Sequence, residues 1–552
     1  VPAVTVPAGG SNPESIPELF GAILRESPQA EAIVDGDSRL TFAGWWHRAA
    51  AAASGLAAAG ARPGGIVCLM LPSSAGFAVC YLAAMRLGAI VTAINPRLGA
   101  TEIRAILDQA GPALVVTDEP DRIAPEQALA VCTPAGLYGR PAADGFGADG
   151  FATDGFATDG FGADGFGADG FAAEAAAGEP AVIVWTTGTT GTPKGAWFDH
   201  ESLRVIARGI GPLSAAGDRK LMPVPFAHTA YMTRIYDQLI HRYALILTPR
   251  AWTARSMLDL IVAERVTVGQ GVPAQWEKLL MLDELAAADL SCLRLVSTGA
   301  SRVPSSLVRA MRERLGCPVV VRYASTEVPL CSGTALDDPA EIVAATVGRP
   351  LGDVEAEVRN EDGRTTRPSA TGRIFLRSRG SMRGYWRAPD LTAETMSADG
   401  WIATSDLGSL DAAGYLTVIG RTDDAYIRGG YNVHPAEVEH ALLAHPGIAR
   451  AAVVGSPAPV LGEIGVAFVV ASPGVRAPDP EEVRAWCRAL IAGYKVPDIV
   501  LGVADLPVNA TYKVDRAELR RRAARAAAGQ AAAGQRRASA GSASRRQGET
   551  GA

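Results

Sequence analysis

Short continuous apolar runs alternate along this chain with longer stretches whose apolar residues recur every three or four positions. That is the pattern of buried strands separated by amphipathic helices. SIPELFGAILRESP from Ser15 predicts a helix, EAIVDGDSRLTF a hairpin, and AGWWHRAAAAASGLAAAGA a helix stopped by glycine. GIVCLMLP then predicts a buried strand, SAGFAVCYLAAMRLG a helix, AIVTAINP a strand, GATEIRAILDQAG a helix and ALVVTD a strand. Strand–helix–strand units of this length predict parallel sheets covered on both faces. The same texture resumes after residue 180, where three successive strands (TVGQGVP, LRLVSTGAS and CPVVVRYASTE) end in polar clusters. The carboxyl edge of such strands is where open α/β sheets take their ligands. From about Thr346 the pattern becomes β-rich with glycine turns. From about Ala425 a smaller αβ unit is expected, with helices PAEVEHALLAHPG and DPEEVRAWCRALIAG around strands IARAAVVGSP and GEIGVAFVVAS.

Two segments depart from this texture. Between Asp144 and Phe171 the tripeptide Asp-Gly-Phe recurs six times at a five-residue period. Glycine at that density opposes both helix and strand, so an expanded surface insertion is expected rather than a solenoid. Beyond Arg520, Ala, Arg, Gly, Gln and Ser dominate, which predicts a fraying helix followed by a basic, disordered tail over 521–552.

Length and charge narrow the picture. At 552 residues the chain exceeds what one core supports, so more than one domain is expected. The net charge of −6 carries no nucleic-acid footprint, and the tail's excess of arginine makes the remainder more acidic still. Seven dispersed cysteines without a C-x-x-C pair predict reduced thiols and a cytoplasmic protein. The first residues show no basic-then-apolar leader pattern, and the apolar stretch from Gly76 to Ile94 is broken by Arg86, so neither a secretory signal nor a membrane span is expected.

The chemistry concentrates in Thr186–Gly195. An apolar run ending at Trp185 switches into TTGTTGTPKG, with five Thr, three Gly, one Pro and one Lys in ten residues. Glycines free backbone N–H groups to face an anion, hydroxyls add donors and Lys194 adds charge, so a phosphate grip is expected. The residue after the lysine is Gly195, not Ser or Thr, which argues against a Walker loop.

Five motifs then agree in order: TTGTTGTPKG at 186–195, YASTE at 323–327, TSD at 404–406, GRTDDAYIRGGYNVHPAEVE at 420–439 and the region of Lys513. Over roughly residues 15–520 the chain resembles the adenylate-forming superfamily of acyl-CoA synthetases, luciferases and peptide-synthetase adenylation domains, the acyl-CoA synthetases above all. The resemblance implies an α/β fold, with a large N-terminal domain of parallel sheets flanked by helices plus a β-rich subdomain over 1–422, the 144–171 insertion included. A small mobile α+β C-terminal domain over 423–520 would complete it. It implies ATP-dependent conversion of a small-molecule carboxylic acid to an acyl-adenylate, then transfer to CoA as a thioester, with ATP, Mg2+ and CoA required. The alternatives are an acyl-AMP ligase that loads an acyl carrier protein, and a non-catalytic homologue acting as a scaffold. By the same resemblance Thr187, Gly188, Thr189, Thr190, Gly191 and Lys194 hold the β- and γ-phosphates. Glu327 ligates Mg2+, Thr326 meets the α-phosphate, Tyr323 stacks near adenine, and Ala324 and Ser325 complete that nucleotide-binding turn. Gly299, Ala300 and Ser301 line the adenine and acyl pockets. Asp406 grips the ribose, Arg421 supports ribose and phosphate, and Asp423 is the hinge. Arg428, Gly429 and Gly430 shape the thiol channel. Lys513 neutralises carboxylate and α-phosphate in the first step. Three residues depart from the family's pattern: Ala324 and Ser405 stand where glycine is usual, and Tyr512 precedes the lysine. In the run Pro225–Ala230 the chain offers His228 where peptide-synthetase domains use an aspartate for the substrate's α-ammonium. This favours an acid without an α-amino group and places His228 near the acyl pocket or thiol tunnel.

Overall fold

Strands too short to stand alone become stable here because both of their faces are covered. The run Ile66–Met70 is buried at every position, and the helix that follows it, Ala75–Arg86, is apolar all round and sunk into the core along its whole length. Polar residues set where such helices begin. Ser74 accepts a hydrogen bond from the Phe77 N–H, and Ser15 and Glu18 form a reciprocal capping box at the start of Ile16–Glu26. The computed structural model describes residues 15–138, 178–187, 193–299, 303–509 and 513–529, apart from 125, 126, 128 and 473. The Asp-Gly-Phe segment, the end of the tail from 530 and Tyr512 lie outside the described residues.

Contacts divide the chain into two units. Unit 1 comprises Val1–Glu357, Phe375–Ala403 and Ala412–Leu416; unit 2 comprises Val358–Ile374, Thr404–Asp411 and Thr417–Ala552. Unit 1 holds two sheets. One has seven strands in the order 384–385, 193–198, 182–187, 90–93, 66–70, 114–117 and 130–132. The other has nine, in the order 349–350, 332–333, 319–323, 295–299, 268–271, 219–222, 244–247, 31–35 and 38–41. Both are parallel in the middle, as the alternating pattern predicts, and antiparallel at an edge: Val182–Thr187 pairs with Pro193–Phe198, and Glu31–Asp35 with Ser38–Thr41. The β-rich stretch forms a four-stranded sheet in the order 355–359, 372–377, 402–410 and 416–421, whose residues are shared out between the two units.

In unit 2 the long hairpin Ile448–Ala458 and Gly462–Ala471 is flanked by the parallel strand Ile499–Gly502 and the short hairpin 426–433. Helices Pro435–Leu443 and Pro480–Leu490 bury Val438, Leu442, Val483 and Cys487 against one face of it. The residues from 516 to 529 are helical and bury Leu519 and Ala523 against the other. The described residues contain no helix long and apolar enough to cross a membrane. All seven cysteines are free thiols.

The core beneath the nine-stranded sheet turns on Trp276. It is fully buried, and its indole N–H donates to the Ser297 carbonyl at 3.1 Å. The indole fits because Gly269 and Gly271 face it: a Cβ at Gly269 would stand 2.9 Å from a Val296 methyl and 3.0 Å from the ring. Gly269→Ala is expected to destabilise unit 1 by about 1–3 kcal/mol through overpacking, and Trp276→Ala by about 3–5 kcal/mol through the cavity it leaves. Urea midpoints followed by circular dichroism check both, with Trp276→Ala expected to shift further.

Candidate functional site

The strand that ends in the threonine-rich stretch is fixed from behind. The Trp185 indole N–H donates to the Thr92 hydroxyl at 2.7 Å, and that hydroxyl donates to the Ile183 carbonyl at 3.0 Å. The chain returns antiparallel, with Thr187 opposite Pro193 and Thr186 opposite Lys194. Gly195 is required there, because a Cβ would lie 2.9 Å from both the Ile183 methyl and the Trp185 ring. The hairpin thus delivers Thr187 and Lys194 to one end of the seven-stranded sheet. Gly188, Thr189, Thr190, Gly191 and Thr192 lie outside the described residues.

The second expected motif sits at the carboxyl end of Val319–Tyr323. Past half-buried Tyr323 and exposed Ala324, Ser325 closes a tight turn: its N–H donates to the Val328 carbonyl at 3.1 Å and its hydroxyl accepts from the Val328 N–H at 3.0 Å. The turn carries Thr326 and Glu327 at its tip. The neighbouring strand ends at Gly299, where a Cβ would fall 2.2 Å from the Arg322 carbonyl, so only glycine is accommodated. Ala300 and Ser301 lie outside the described residues.

A residue absent from the sequence reading connects these two motifs. The Tyr385 hydroxyl donates to Glu327 Oε1 at 2.7 Å, and the Lys194 ammonium lies 5.8 Å from the centre of the same ring. Burial, and then the Glu327 charge, push the Tyr385 phenol far above its ordinary pKa, so it stays protonated and acts as the donor. Its backbone is equally committed. Gly384–Tyr385 pairs with Ala196 and Trp197, and the Met382 N–H donates to the Glu327 carbonyl at 2.8 Å. Within the sequence the only signal is an aromatic residue in a glycine-bounded turn, Arg383-Gly384-Tyr385-Trp386.

His228 opens the short helix Thr229–Met232 on a loop held by rings. Phe226 stacks on Tyr231 at 3.6 Å and meets Phe77 edge-on at 5.4 Å, while its N–H donates to the Ser73 hydroxyl at 2.9 Å. This clamp fixes the backbone from Pro225 to Tyr231 and leaves His228 half-buried.

The remaining expected residues belong to unit 2. Asp406 is buried, its backbone N–H held by the Thr404 hydroxyl at 3.1 Å, and Arg421 stands 3.9 Å away. Asp423 grips Arg421 with both oxygens, at 2.8 and 2.9 Å. Burial works against the Asp423 charge, yet Arg421 wins and lowers its pKa. Lys513 is anchored by Asn509, whose N–H donates to the Lys513 carbonyl at 2.8 Å and whose side-chain oxygen accepts the Lys513 N–H at 3.1 Å. The side chain of Lys513 is reached by solvent, but protein crowded around it, and then the Arg421 charge, lower its pKa against the pull of Asp406. Gly429 and Gly430 make the two-residue turn of the 426–433 hairpin, at φ of 56° and 86°, values that suit glycine. Arg428 is spent within the unit, on both oxygens of Asp498 at 2.6 and 2.9 Å.

No group of three or more His, Cys, Asp or Glu among the described residues can hold a metal unaided. Mg2+ takes most of its ligands from phosphates and water and needs only one or two hard carboxylates. Glu327, with one oxygen held by Tyr385, offers such a carboxylate in a fixed orientation.

Comparison with known proteins bears on this arrangement. The model of a family described as AMP-binding enzyme matches residues 21–386, and that of the AMP-binding enzyme C-terminal domain matches residues 437–513. A feruloyl-CoA synthase from an Amycolatopsis species is 31% identical over 502 residues, 90% of this chain and 97% of its own length. A long-chain-fatty-acid–CoA ligase of Mycobacterium tuberculosis is 32% identical over 520 residues, 91% of this chain and 98% of its own. Among solved structures, ATP-bound MatB from Rhodopseudomonas palustris superposes with a TM-score of 0.79 at 28% identity, covering 91% of this chain and 98% of that one.

Tyr385→Phe keeps the ring under Lys194 but removes the donor from Glu327. The variant is expected to fold and to need about tenfold more Mg2+ for half-maximal pyrophosphate release, the loss of one hydrogen bond to a charged group. Mg2+ titration at saturating ATP checks this; an unchanged midpoint argues against a role for the phenol in orienting Glu327.

Proposed function

The chain belongs to the AMP-binding enzyme family and is an AMP-forming acyl-CoA synthetase, and we propose that Lys194, Glu327 and Lys513 carry its first step on a carboxylic acid without an α-amino group. In that step an oxygen of the acid attacks the α-phosphorus of ATP, the bond to the β-phosphate oxygen breaks, and pyrophosphate leaves. In the second, the sulfur of CoA, its proton lost, attacks the acyl carbonyl and expels AMP. The barrier in the first step is the approach of one anion to another, so the residues that matter are those that put fixed positive charge and donors on the reacting oxygens. Mg2+, when bound, supplies further charge to the phosphates.

Lys194 and the Thr187–Gly191 stretch hold the β- and γ-phosphates, and Thr326 meets the α-phosphate. Glu327 ligates the metal, and Tyr385 keeps its carboxylate aimed. The observation that carries this reading is the 2.7 Å hydrogen bond from Tyr385 to Glu327 beneath the Lys194 ammonium, because it makes one charged cluster out of two motifs far apart in the chain. Tyr323, Ala324 and Ser325 with Gly299, Ala300 and Ser301 border the adenine and the acyl group. Asp406 binds the ribose hydroxyls, Arg421 steadies that region under the hold of Asp423, and Lys513 brings its cation to the carboxylate and α-phosphate. Asp423 is the hinge. Gly429 and Gly430 border the thiol's approach, with Arg428 holding their hairpin through Asp498.

The thiol is CoA rather than that of a carrier protein, a choice supported by relatives named as CoA ligases along nearly the whole chain. The absence of an acidic residue from Pro225–Ala230, where His228 stands, supports an acid that carries no ammonium group. The free thiols support a cytoplasmic site of action.

Lys513→Ala is expected to lower adenylation by about 10²–10³-fold while sparing thioester formation from supplied acyl-AMP. Pyrophosphate release and acyl-CoA formation, measured separately, check this; equal loss in both half-reactions overturns the role given to Lys513. Because crowding lowers the Lys513 pKa, adenylation is expected to fall with rising pH through a value below the ordinary lysine range, as the cation is lost. Lys513→Arg, which keeps its charge, is expected to lose that alkaline limb.

A further inference from the structure

At the nine-stranded sheet, buried Lys220 and the half-buried Arg234 and Arg322 bring together more positive charge than the neighbouring carboxylates balance. Lys220, Arg234 and Arg322 share this region with the carboxylate of Asp237. Asp237 is held through one oxygen: its Oδ2 lies 3.4 Å from Lys220 and accepts from the Tyr243 hydroxyl at 3.2 Å, while its Oδ1, 3.0 Å from the His241 ring, has no hydrogen-bond partner among the described residues. The nearby Asp218 is committed to Arg294 at 2.7 Å and to the Thr267 hydroxyl at 2.7 Å.

The two arginines therefore depend on single carbonyls. Arg234 Nη2 donates to the Pro329 carbonyl at 3.1 Å, and Arg322 Nη2 to the Ile210 carbonyl at 3.4 Å. The Nη1 of each is buried with no hydrogen-bond partner among the described residues. A guanidinium nitrogen in that condition is unfavourable unless an anion or acceptor meets it. Burial, with Arg234 repelling, brings the Arg322 pKa down to about 9.

Room is kept for this side chain. A Cβ on Gly333, across the sheet, would stand 2.8 Å from both the Cδ and the Nη1 of Arg322. The location is also specific. Arg322 immediately precedes Tyr323 and lies opposite Gly299 at the carboxyl ends of the strands. Arg234 follows the helical turn that His228 opens. In the chain both thus adjoin residues assigned above to the acyl and adenine side of the site, the Arg322 side chain leaving the strand on the face opposite that of Tyr323.

Taking the synthetase reading as its basis, we propose that Arg234 and Arg322 receive a second carboxylate on the acid, so that the substrate is a dicarboxylic acid activated at its other end. Planar guanidinium donors match a carboxylate's paired oxygens, and the distal anion would satisfy both orphaned nitrogens at once.

The test compares glutarate, adipate and suberate with their monomethyl esters on the full chain. Binding is read by calorimetry in the presence of a non-hydrolysable ATP analogue, and turnover by pyrophosphate release. At least one diacid is expected to bind about tenfold more tightly than its ester. In Arg322→Met that margin is expected to fall below about twofold, with partial recovery in Arg322→Lys. An ester that binds as tightly as its diacid at all three lengths overturns the proposal, and this comparison needs no variant to fold. A margin that survives intact in a folded Arg322→Met overturns it as well. Diacid-selective binding without pyrophosphate release for any acid supports the anion site and sinks the ligase reading instead.

Discussion

The hydrogen bond from Tyr385 to Glu327 is the contact on which the arrangement in unit 1 depends. It joins a strand-to-turn exit at 323–328, the short strand 384–385 and, through the ring, the lysine at the end of the 182–198 hairpin. None of these pieces is rigid by itself. A carboxylate on a turn has several rotamers, and a lysine has more. The phenol's hydrogen bond holds the Glu327 carboxylate before any ligand arrives, which is the condition under which electrostatic stabilisation costs no reorganisation later. The same phenol is buried deeply enough to stay protonated at any physiological pH, so the link does not switch off.

Unit 2 handles charge by a different device. Arg421 is not left to find its partner; Asp423 accepts from its Nε and one Nη, and Asp406 stands 3.9 Å from the other Nη, further than a direct hydrogen bond. The pairing fixes the guanidinium. Lys513 is treated in the opposite sense. Solvent reaches it, but its surroundings make the ammonium less stable than in water. The arginines of unit 1, Arg234 and Arg322, are half-buried, and the Nη1 of each has no hydrogen-bond partner among the described residues.

Much was legible in the sequence because much of it is local. Apolar runs such as Ile66–Met70 and Val319–Tyr323 announce buried strands, capped helices such as Ile16–Glu26 announce their own starts, and strand–helix alternation announces parallel sheets. The density of hydroxyls, glycines and one lysine in Thr186–Gly195 is the local signal behind the proposal of an anion grip. Order and spacing of five motifs then carried the family, and the family matched over residues 21–386 and 437–513.

Strand order was not legible. Periodicity reports which face of a segment is buried, never which neighbour covers it, so the division of the unit 1 strands into a seven-stranded and a nine-stranded sheet came only with the folded chain. Tyr385 and Arg322 escaped for the same reason. A tyrosine in a glycine turn and an arginine at the end of a strand are unremarked in one dimension. It takes the antiparallel pairing of 384–385 with 196–197 to carry the phenol to Glu327, and the absent side chain of Gly333 to admit the Arg322 guanidinium. The sequence by itself determined the classes of element and the reaction family, because these are written in the composition and spacing of contiguous residues. The tertiary structure alone decided which charges are paired and which are left waiting, because a through-space contact has no signature along the chain.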